Sequence, residues 1–256
     1  MKVLGIDIGG TGIKGAVVDV KRGVLKSDRL RLLTPKPATP EAVTAVIETL
    51  VKHFEWDGPI GCTFPGVTVG GIVHTAANLE PEWIGVDAAK LFGEATSCHV
   101  TLVNDADAAG LSEVAFGAAE HHKGTIILAT LGTGIGSAVL HDGKLLPNTE
   151  LGHLVLHGAD AEKYAADLVR EADDLSWEDW GARVGEYLRL VENLLWPDLF
   201  IIGGGVSKKH DKFFPYIECR TPVVAARLLN LAGIVGAALA SEAAGGHEKH
   251  HKNKKK

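Results

Sequence analysis

The chain has 256 residues, 46% of them hydrophobic and 23% charged, which is typical of a globular protein with a substantial apolar core. Its formal net charge is −6, although residues 247–256 contain five lysines and one glutamate; an acidic body argues against a general nucleic-acid binder. No apolar run approaches the ~18 residues of a membrane span, and three scattered cysteines without C-x-x-C spacing argue against disulfides and favour a reducing cytoplasm.

The first predicted elements are two strands joined by a glycine-rich turn. Residues 4–19 read LGIDIGGTGIKGAVVD, in which Gly10, Gly12 and Gly15 have the G-x-G-x-x-G spacing of a dinucleotide-binding turn. That motif requires a helix after the glycines, whereas the residues that follow are rich in valine and predict a second strand. We therefore predict strands at about 2–8 and 14–20, forming a hairpin whose turn amides can face an anion. Because the sequence opens on a strand, no signal peptide is expected.

A helix and two further strands are predicted in the rest of the first half. Thr39 precedes apolar residues at helical spacing, which predicts a helix from residue 40. Apolar runs at 59–64 and 100–103 predict strands, and the second run ends on Asn104 and Asp105. A carboxylate at this place is suited to be the base for an attacking hydroxyl, although Asn-Asp also commonly caps a following helix, predicted here at 108–117.

The second half repeats the glycine hairpin. Residues 130–142 read TLGTGIGSAVLHD, and a shift of 122 positions places the string GTGI at 132–135 on the same string at 10–13. The repeat predicts an internal duplication with two hairpins that could grip one phosphate chain. Later come the stretch PNTELGH at 147–153, a helical stripe at 177–194, a buried strand at 199–202 and a small-residue helix at 232–240. Alternating strands and helices indicate an α/β fold, in which ligands bind at the carboxyl ends of strands.

Five motifs occur in an order that carries a family resemblance: DIGGTGIKGA, NDADAAG, LGTGIGSA, TELGH and IIGGGVSK. Over about residues 2–242 they resemble the ROK (repressor, open reading frame, kinase) family of sugar kinases, and within it bacterial polyphosphate glucokinases. The resemblance implies an α/β, two-domain actin-like (RNase H-like) ATPase fold with duplicated phosphate-binding hairpins and an interdomain cleft. It implies a smaller domain at 1–106 with the helix near 231–244, a larger domain at 107–230, and a basic, disordered tail at 245–256.

The resemblance also implies residue roles. Asp105 matches the catalytic base that deprotonates the glucose 6-hydroxyl. The sugar-binding positions are Asn78, Asn104, Asp105, Glu150 and His153, with Glu162 standing in for the usual glutamate after the zinc loop. The phosphate- and nucleotide-binding positions are Asp7, Gly9, Gly10, Thr11, Gly12, Lys14, Gly132, Thr133, Gly134, Gly203, Gly204 and Gly205.

The implied substrates are glucose and inorganic polyphosphate, with ATP as a further candidate donor and Mg²⁺ held through water by Asp7. Many family members follow E-x-G-H with a cysteine zinc motif, but residues 154–164 contain no cysteine, so we predict no zinc. A homodimer is expected, and no nucleic-acid or membrane partner. Lys14, Lys208, Lys209 and Lys212 are candidates for a cationic track that holds polyphosphate.

Three other functions remain open from the sequence. The nearest is a strictly ATP-dependent glucokinase or hexokinase of the same family. A polyphosphate hydrolase would release phosphate without sugar, and the sugar-binding motif TELGH argues against it. A sugar-responsive regulator would carry a DNA-binding domain before the first hairpin, and only six residues precede Asp7.

Overall fold

The structure is a computed structural model that describes residues 1–76 and 79–253, with side chains up to residue 245. The chain divides into two compact units. Unit 1 comprises Met1–Ser112 and Leu231–Lys256, and unit 2 comprises Glu113–Asn230. In the described part of the chain, no helix combines the length and the apolar character needed to cross a membrane.

The helices and strands have the following bounds. Up to residue 116 they are β1 (Lys2–Ile8), β2 (Ile13–Asp19), β3 (Val24–Leu25), β4 (Leu30–Leu32), α1 (Pro40–His53), β5 (Ile60–Phe64), β6 (Thr68–Val69), β7 (Ile72–Val73), α2 (Ala88–Thr96), β8 (Val100–Asn104) and α3 (Asp105–Phe116). They continue with β9 (Thr125–Leu131), β10 (Ile135–His141), β11 (Lys144–Leu146), β12 (Val155–Leu156), β13 (Ala159–Asp160), α4 (Glu162–Ala165), α5 (Asp167–Ala172), α6 (Trp177–Leu195), β14 (Leu199–Gly203), β15 (Val223–Ala225) and α7 (Ala232–Asn253). Short 3-10 helices lie at Pro81–Trp83, Leu151–His153, Gly205–Lys212, Phe214–Tyr216 and Leu229–Leu231.

Unit 1 is built on a sheet of order β3-β2-β1-β5-β8, with β4 also pairing with β2. β1 and β2 form the predicted antiparallel hairpin rather than a strand and helix, which excludes the dinucleotide-binding unit. β5 and β8 then join in parallel. The Thr39 side chain caps α1 by accepting the N–H of Ala42, as predicted, and Val43, Ile47 and Leu50 pack into the core.

α7 lies directly on the unit 1 sheet because glycines let the two backbones approach. A Cβ atom at Gly5 would overlap the carbonyl oxygen of Ile234, and one at Gly61 would overlap that of Ala237. Both strands therefore need glycine for a spatial reason, independent of backbone dihedral angles. This contact joins α7 to β1, the strand that precedes the first glycine turn, and to the neighbouring strand β5.

Unit 2 repeats the topology of unit 1, with sheet order β11-β10-β9-β14-β15. β9 and β10 are antiparallel, and β14 and β15 add in parallel, as β5 and β8 do in unit 1. α6 is capped by Ser176 and buries Trp180, Val184, Leu188 and Val191 against this sheet. The equal strand order is what the repeated GTGI string predicts for a duplicated chain.

Some predicted boundaries differ from the observed ones. α3 begins at Asp105, three residues earlier than predicted, because the Asn104 side chain caps it. The segment after the triple glycine, for which no element was predicted, is a 3-10 run in which Lys209 has non-helical dihedral angles. α7 is helical to Asn253, where the sequence predicts a disordered tail from residue 245. That tail contains no proline, and lysine and glutamate favour helix.

Candidate active site

Asp7 lies near the end of β1 with both carboxylate oxygens engaged. Oδ1 accepts a hydrogen bond from Thr63 Oγ1 at 3.0 Å, and Oδ2 pairs with Lys14 Nζ at 3.1 Å. Thr63 Oγ1 also accepts the backbone N–H of Ile8, so β5 fixes the strand end and the carboxylate together. A Cβ at Gly233 would meet the carboxylate, which therefore lies at the first turn of α7, where the helix dipole favours a negative charge.

The first glycine turn is closed by a hydrogen bond from Gly9 N to the Gly12 carbonyl oxygen at 3.2 Å. The hydroxyl of Thr34 donates to the carbonyl oxygen of Gly9. Arg31 on β4 donates from Nη2 to the carbonyl oxygen of Thr11 at 3.0 Å, and its guanidinium lies against Gly12. The turn is thus held from β4 and from the segment after it, contacts that the motif alone does not predict.

Asn104 and Asp105 follow β8 and begin α3. Asn104 Oδ1 accepts the N–H groups of Ala106 and Asp107 at 2.8 and 3.0 Å, while Nδ2 donates to the Gly66 carbonyl oxygen. Asn104 is buried and acts as the helix cap, whereas the Asp105 side chain is exposed. Asn104 is thus the cap residue, although Asp105 Oδ1 also accepts the N–H of Ala106 at 2.9 Å, and the exposed Asp105 side chain remains accessible to a substrate.

Asp7 and Asp105 lie at the same edge of the unit 1 sheet. Asp7 is in register with Thr63 on β5, which is in register with Val103 on β8. Because these strands are parallel, their carboxyl ends meet at one edge. At this edge the structure brings together Asp105, which is the predicted base, with Asp7 and the first glycine turn. Their positions at strand ends predict this arrangement.

The second glycine turn, in unit 2, is stabilised by Glu162. Gly132 N donates to the Gly134 carbonyl oxygen at 3.0 Å, and the Gly132 carbonyl oxygen accepts the N–H of Leu168. Glu162 Oε2 accepts the N–H of Ile135 at 3.2 Å and lies against Gly134. Glu162 therefore supports the hairpin itself, in addition to the sugar-binding role that the resemblance implies for it.

The stretch PNTELGH is tied to β10 through Ser137. Ser137 Oγ donates to the Thr149 carbonyl oxygen and accepts the N–H of Leu151 at 2.9 Å. The 3-10 turn that follows brings His153 Nε2 to 3.9 Å from Glu150 Oε2, as their spacing predicts. His153 Nδ1 lies 3.5 Å from Asp160 Oδ2, a partner on β13 that the sequence analysis missed.

The Glu150 carboxyl is the group in this stretch whose pKa is shifted by its surroundings. Burial raises the pKa of the Glu150 carboxyl above its ordinary value; the neighbouring His153 lowers this pKa by less, and Glu162 adds a smaller upward contribution. Glu150 is therefore a carboxylate that folding holds in a partly desolvated place close to another acid. Such a group is costly for the fold unless a ligand uses it.

His153, Asp160 and Glu162 place one ligand atom each within 4.8 Å of one another. This set of donors has the chemistry to hold a cation, but exposed acidic clusters commonly have this spacing without binding one. The expectation that the protein has no zinc site therefore stays a prediction.

The triple glycine begins with Gly203, the last residue of β14, beside the second turn. Gly203 is in register with Thr130 on β9, and Gly204 has φ 84° and lies against the Leu131 backbone, where a side chain would overlap it. Ser207 Oγ donates to the Gly204 carbonyl oxygen at 2.8 Å. Unit 2 thus brings together the predicted residues of the second turn, the triple glycine and the cluster of Glu150, His153 and Glu162. Asn78 lies outside the described residues.

Sequence pattern did not predict the contacts of three residues in this region, namely Thr63, Arg31 and Asp160. Thr63 is the next-to-last residue of an otherwise apolar strand and carries the signal of a polar residue near a strand end. Arg31 lies in a stretch of alternating arginine and leucine, a pattern typical of a half-buried strand. Asp160 has no such signal, because its proximity to His153 depends on the β12–β13 hairpin.

The two α/β units have sheets of equal strand order, and each sheet contains a glycine hairpin. These features define an actin-like ATPase fold. The model of the ROK family matches residues 3–168. A polyphosphate glucokinase from Mycobacterium tuberculosis is 53% identical over 93% of this chain and 91% of its own length. The chain belongs to the ROK family.

Solved structures agree with this fold. The inorganic polyphosphate/ATP-glucomannokinase from Arthrobacter sp. strain KM superposes with a TM-score of 0.89 at 47% identity, covering 94% of this chain and 98% of the other. A ROK family glucokinase from Streptomyces griseus, solved with glucose and AMPPNP, has a TM-score of 0.79 at 24% identity, covering 94% and 99%. The second similarity supports the fold alone.

Proposed function

We propose that the protein is a phosphotransferase that makes glucose 6-phosphate from glucose, with inorganic polyphosphate and ATP as phosphoryl donors. The observation that carries the proposal is the 53% identity to a polyphosphate glucokinase over 93% of this chain. The exposed Asp105 carboxylate, fixed at the start of α3 by the Asn104 cap, gives that identity a chemical basis.

Asp105 acts as the general base. The oxygen of the glucose 6-hydroxyl bonds to the terminal phosphorus of the donor while the bond from that phosphorus to its bridging oxygen breaks. The hydroxyl proton passes to Asp105, and the electron pair leaves with the shortened polyphosphate or ADP. Positioning and charge neutralisation supply most of the rate in such transfers, and the base adds about 10²–10⁴-fold.

Within its own unit, each glycine turn presents backbone N–H groups suited to bind donor phosphate. Mg²⁺ would neutralise charge on these phosphates. Both oxygens of Asp7 are already hydrogen-bonded, so Asp7 fits a water-mediated contact with the ion better than direct ligation. In the protein without substrate, Lys14 pairs with Asp7. Because Lys14 lies close to the first glycine turn, its ammonium group can also interact with a phosphate bound there.

Glu150 and His153 hold the sugar. Their polar atoms lie 3.9 Å apart, a spacing at which both can reach neighbouring hydroxyls of one ring. A carboxylate accepts hydrogen bonds from hydroxyls more strongly than a neutral group does. Asn104 contributes by fixing α3, and Glu162 by fixing the second turn beside this pair.

We also propose that the protein acts as a homodimer in the cytoplasm. Cys62, Cys98 and Cys219 are free thiols, which fits a reducing compartment. Sedimentation of the purified chain tests the dimer: a single species of twice the chain mass supports it, and a species of one chain mass contradicts it.

The test of the proposed function measures glucose 6-phosphate formation with long-chain polyphosphate and with ATP, side by side. We expect product with both donors. Product with ATP alone would assign the strictly ATP-dependent alternative. Release of phosphate from polyphosphate at equal rates with and without glucose would assign the hydrolase instead. Mannose in place of glucose measures the hexose range.

A further inference from the structure

We propose that polyphosphate leaves the first glycine turn along Arg29 and Arg31, which we call the basic edge. This inference rests on the proposed function, because it names the surface that distinguishes a long phosphate chain from the short triphosphate of ATP. A polyanion that extends beyond the turn needs further cations to neutralise it. Because the protein outside its basic tail has a net negative charge, those cations must come from a local basic surface.

The charge distribution points to this surface. Residues 21–36 contain six lysines or arginines and one acidic residue, Asp28. The stretch spans β3 and β4, both of which pair with β2, the strand that leaves the first glycine turn. The most basic stretch of unit 1 outside the tail is therefore joined directly to a phosphate-binding element.

The backbone orients the basic edge. Arg29 and Arg31 are exposed, whereas Leu30 and Leu32 between and after them are half-buried and pack on the unit 1 core. In extended chain, residues two apart project to the same side. Arg29 and Arg31 therefore lie on the solvent-facing side of this segment. The leucines beside them pack on the core and fix that orientation.

Arg31 links the basic edge to the turn. It is in register with Lys14 on β2, and its Nη2 donates to the Thr11 carbonyl oxygen at 3.0 Å. Its guanidinium has further N–H donors, and guanidinium matches phosphate geometry closely. Neither Arg29 nor Arg31 takes part in an ion pair among the described residues, so no carboxylate there competes with phosphate for their charge.

The alternative track near Lys208 has a less favourable environment. Lys209 and Lys212 lie 5.7 and 5.6 Å from the Trp177 ring centroid, which Arg170 also covers. Arg170 is already paired with Asp167 and Glu171. Residues 167–179, which carry this tryptophan, contain six acidic residues and one basic residue. A polyanion would meet repulsion there that the basic edge does not present.

The experiment compares four proteins: wild type, Arg29→Ala, Lys208→Ala with Lys209→Ala, and Lys90→Ala as a matched loss of an exposed cation of α2. KM and kcat are measured for long-chain polyphosphate, tripolyphosphate and ATP at several salt concentrations. Equilibrium dialysis measures binding of long-chain polyphosphate without glucose. Arg29 is chosen because it has no hydrogen bond or ion pair among the described contacts, so its loss leaves the turn intact.

We expect Arg29→Ala to raise KM and Kd for long-chain polyphosphate about tenfold, with KM for tripolyphosphate and ATP within twofold of wild type. The slope of log Kd against log salt should fall by about one unit, as for one lost phosphate contact. Lys90→Ala should match wild type. Equal increases for all donors, or a larger loss in the Lys208 and Lys209 variant, would overturn the basic edge.

The two proposals fail separately. If wild type makes no glucose 6-phosphate from polyphosphate, the proposed donor is wrong. Dialysis still decides whether Arg29 binds polyphosphate. If Arg29→Ala binds long-chain polyphosphate as tightly as wild type does, the proposal of the basic edge is wrong whatever the activity.

Discussion

The hydroxyl of Thr63 donates a 3.0 Å hydrogen bond to Asp7, and the same oxygen accepts the backbone N–H of Ile8. One buried side chain on β5 thus fixes both the backbone and the carboxylate at the end of β1. The arrangement supports the strand that leads into the first glycine turn and explains why a polar residue occurs near the end of an otherwise apolar strand.

Replacing Thr63 should therefore damage both stability and donor binding. Thr63→Val keeps the shape but leaves the Ile8 N–H without its acceptor, a loss of about 1–3 kcal/mol. Urea unfolding measures this cost, and KM for ATP should rise because Asp7 loses its support. Thr63→Ser retains the hydroxyl and should restore donor KM to near the wild-type value. If Thr63→Val binds both donors as wild type does, Asp7 does not depend on this contact.

Glu150→Gln should improve stability while weakening sugar binding. Burial raises the pKa of Glu150 in the folded protein, so ionising this carboxyl opposes folding above that pKa. The amide removes the charge, and the variant should have a higher Tm than wild type at neutral pH. The difference should shrink as pH falls and Glu150 becomes protonated in the wild type. A Tm advantage that grows towards acid pH would contradict this reasoning.

The same variant tests the sugar site. A hydrogen bond to a charged group contributes about 1.5–3 kcal/mol, so we expect the glucose KM to rise by about ten- to a hundredfold. The KM for the donor should stay near its wild-type value. A rise confined to the donor KM would move Glu150 from the sugar to the phosphate chain.

Gly61→Ala should destabilise unit 1, because the added carbon meets the Ala237 carbonyl oxygen of α7. Overpacking of this kind costs about 1–3 kcal/mol. The control variant is Gly245→Ala. Gly245 lies on α7, and its added carbon would meet open space. The control should be neutral or slightly more stable in urea. Equal stability of the two variants would show that α7 does not lie directly on β5.

Local pattern predicted much of the fold and part of the site. Apolar runs, the Thr39 cap and the repeated GTGI string predicted α1, α3, α6, α7 and the two hairpins, because each of these signals acts over a few residues. The helices α2, α4 and α5 were not predicted. The place of Asp105 followed from a strand that ends on it. Contacts between distant segments, such as Thr63 with Asp7 or Arg31 with Thr11, depend on strand order and register. Those quantities are set by packing of the whole unit, so a single sequence did not reveal them.

The most direct test of the account is the turnover number of Asp105→Asn, with glucose and each donor at saturation. The amide keeps the shape of the carboxylate but cannot take the hydroxyl proton. We expect kcat to fall about 10²–10⁴-fold with polyphosphate and with ATP alike, and the glucose KM to change little. An Asp105→Asn protein that keeps half of the wild-type kcat with either donor would contradict the role of Asp105 as the base.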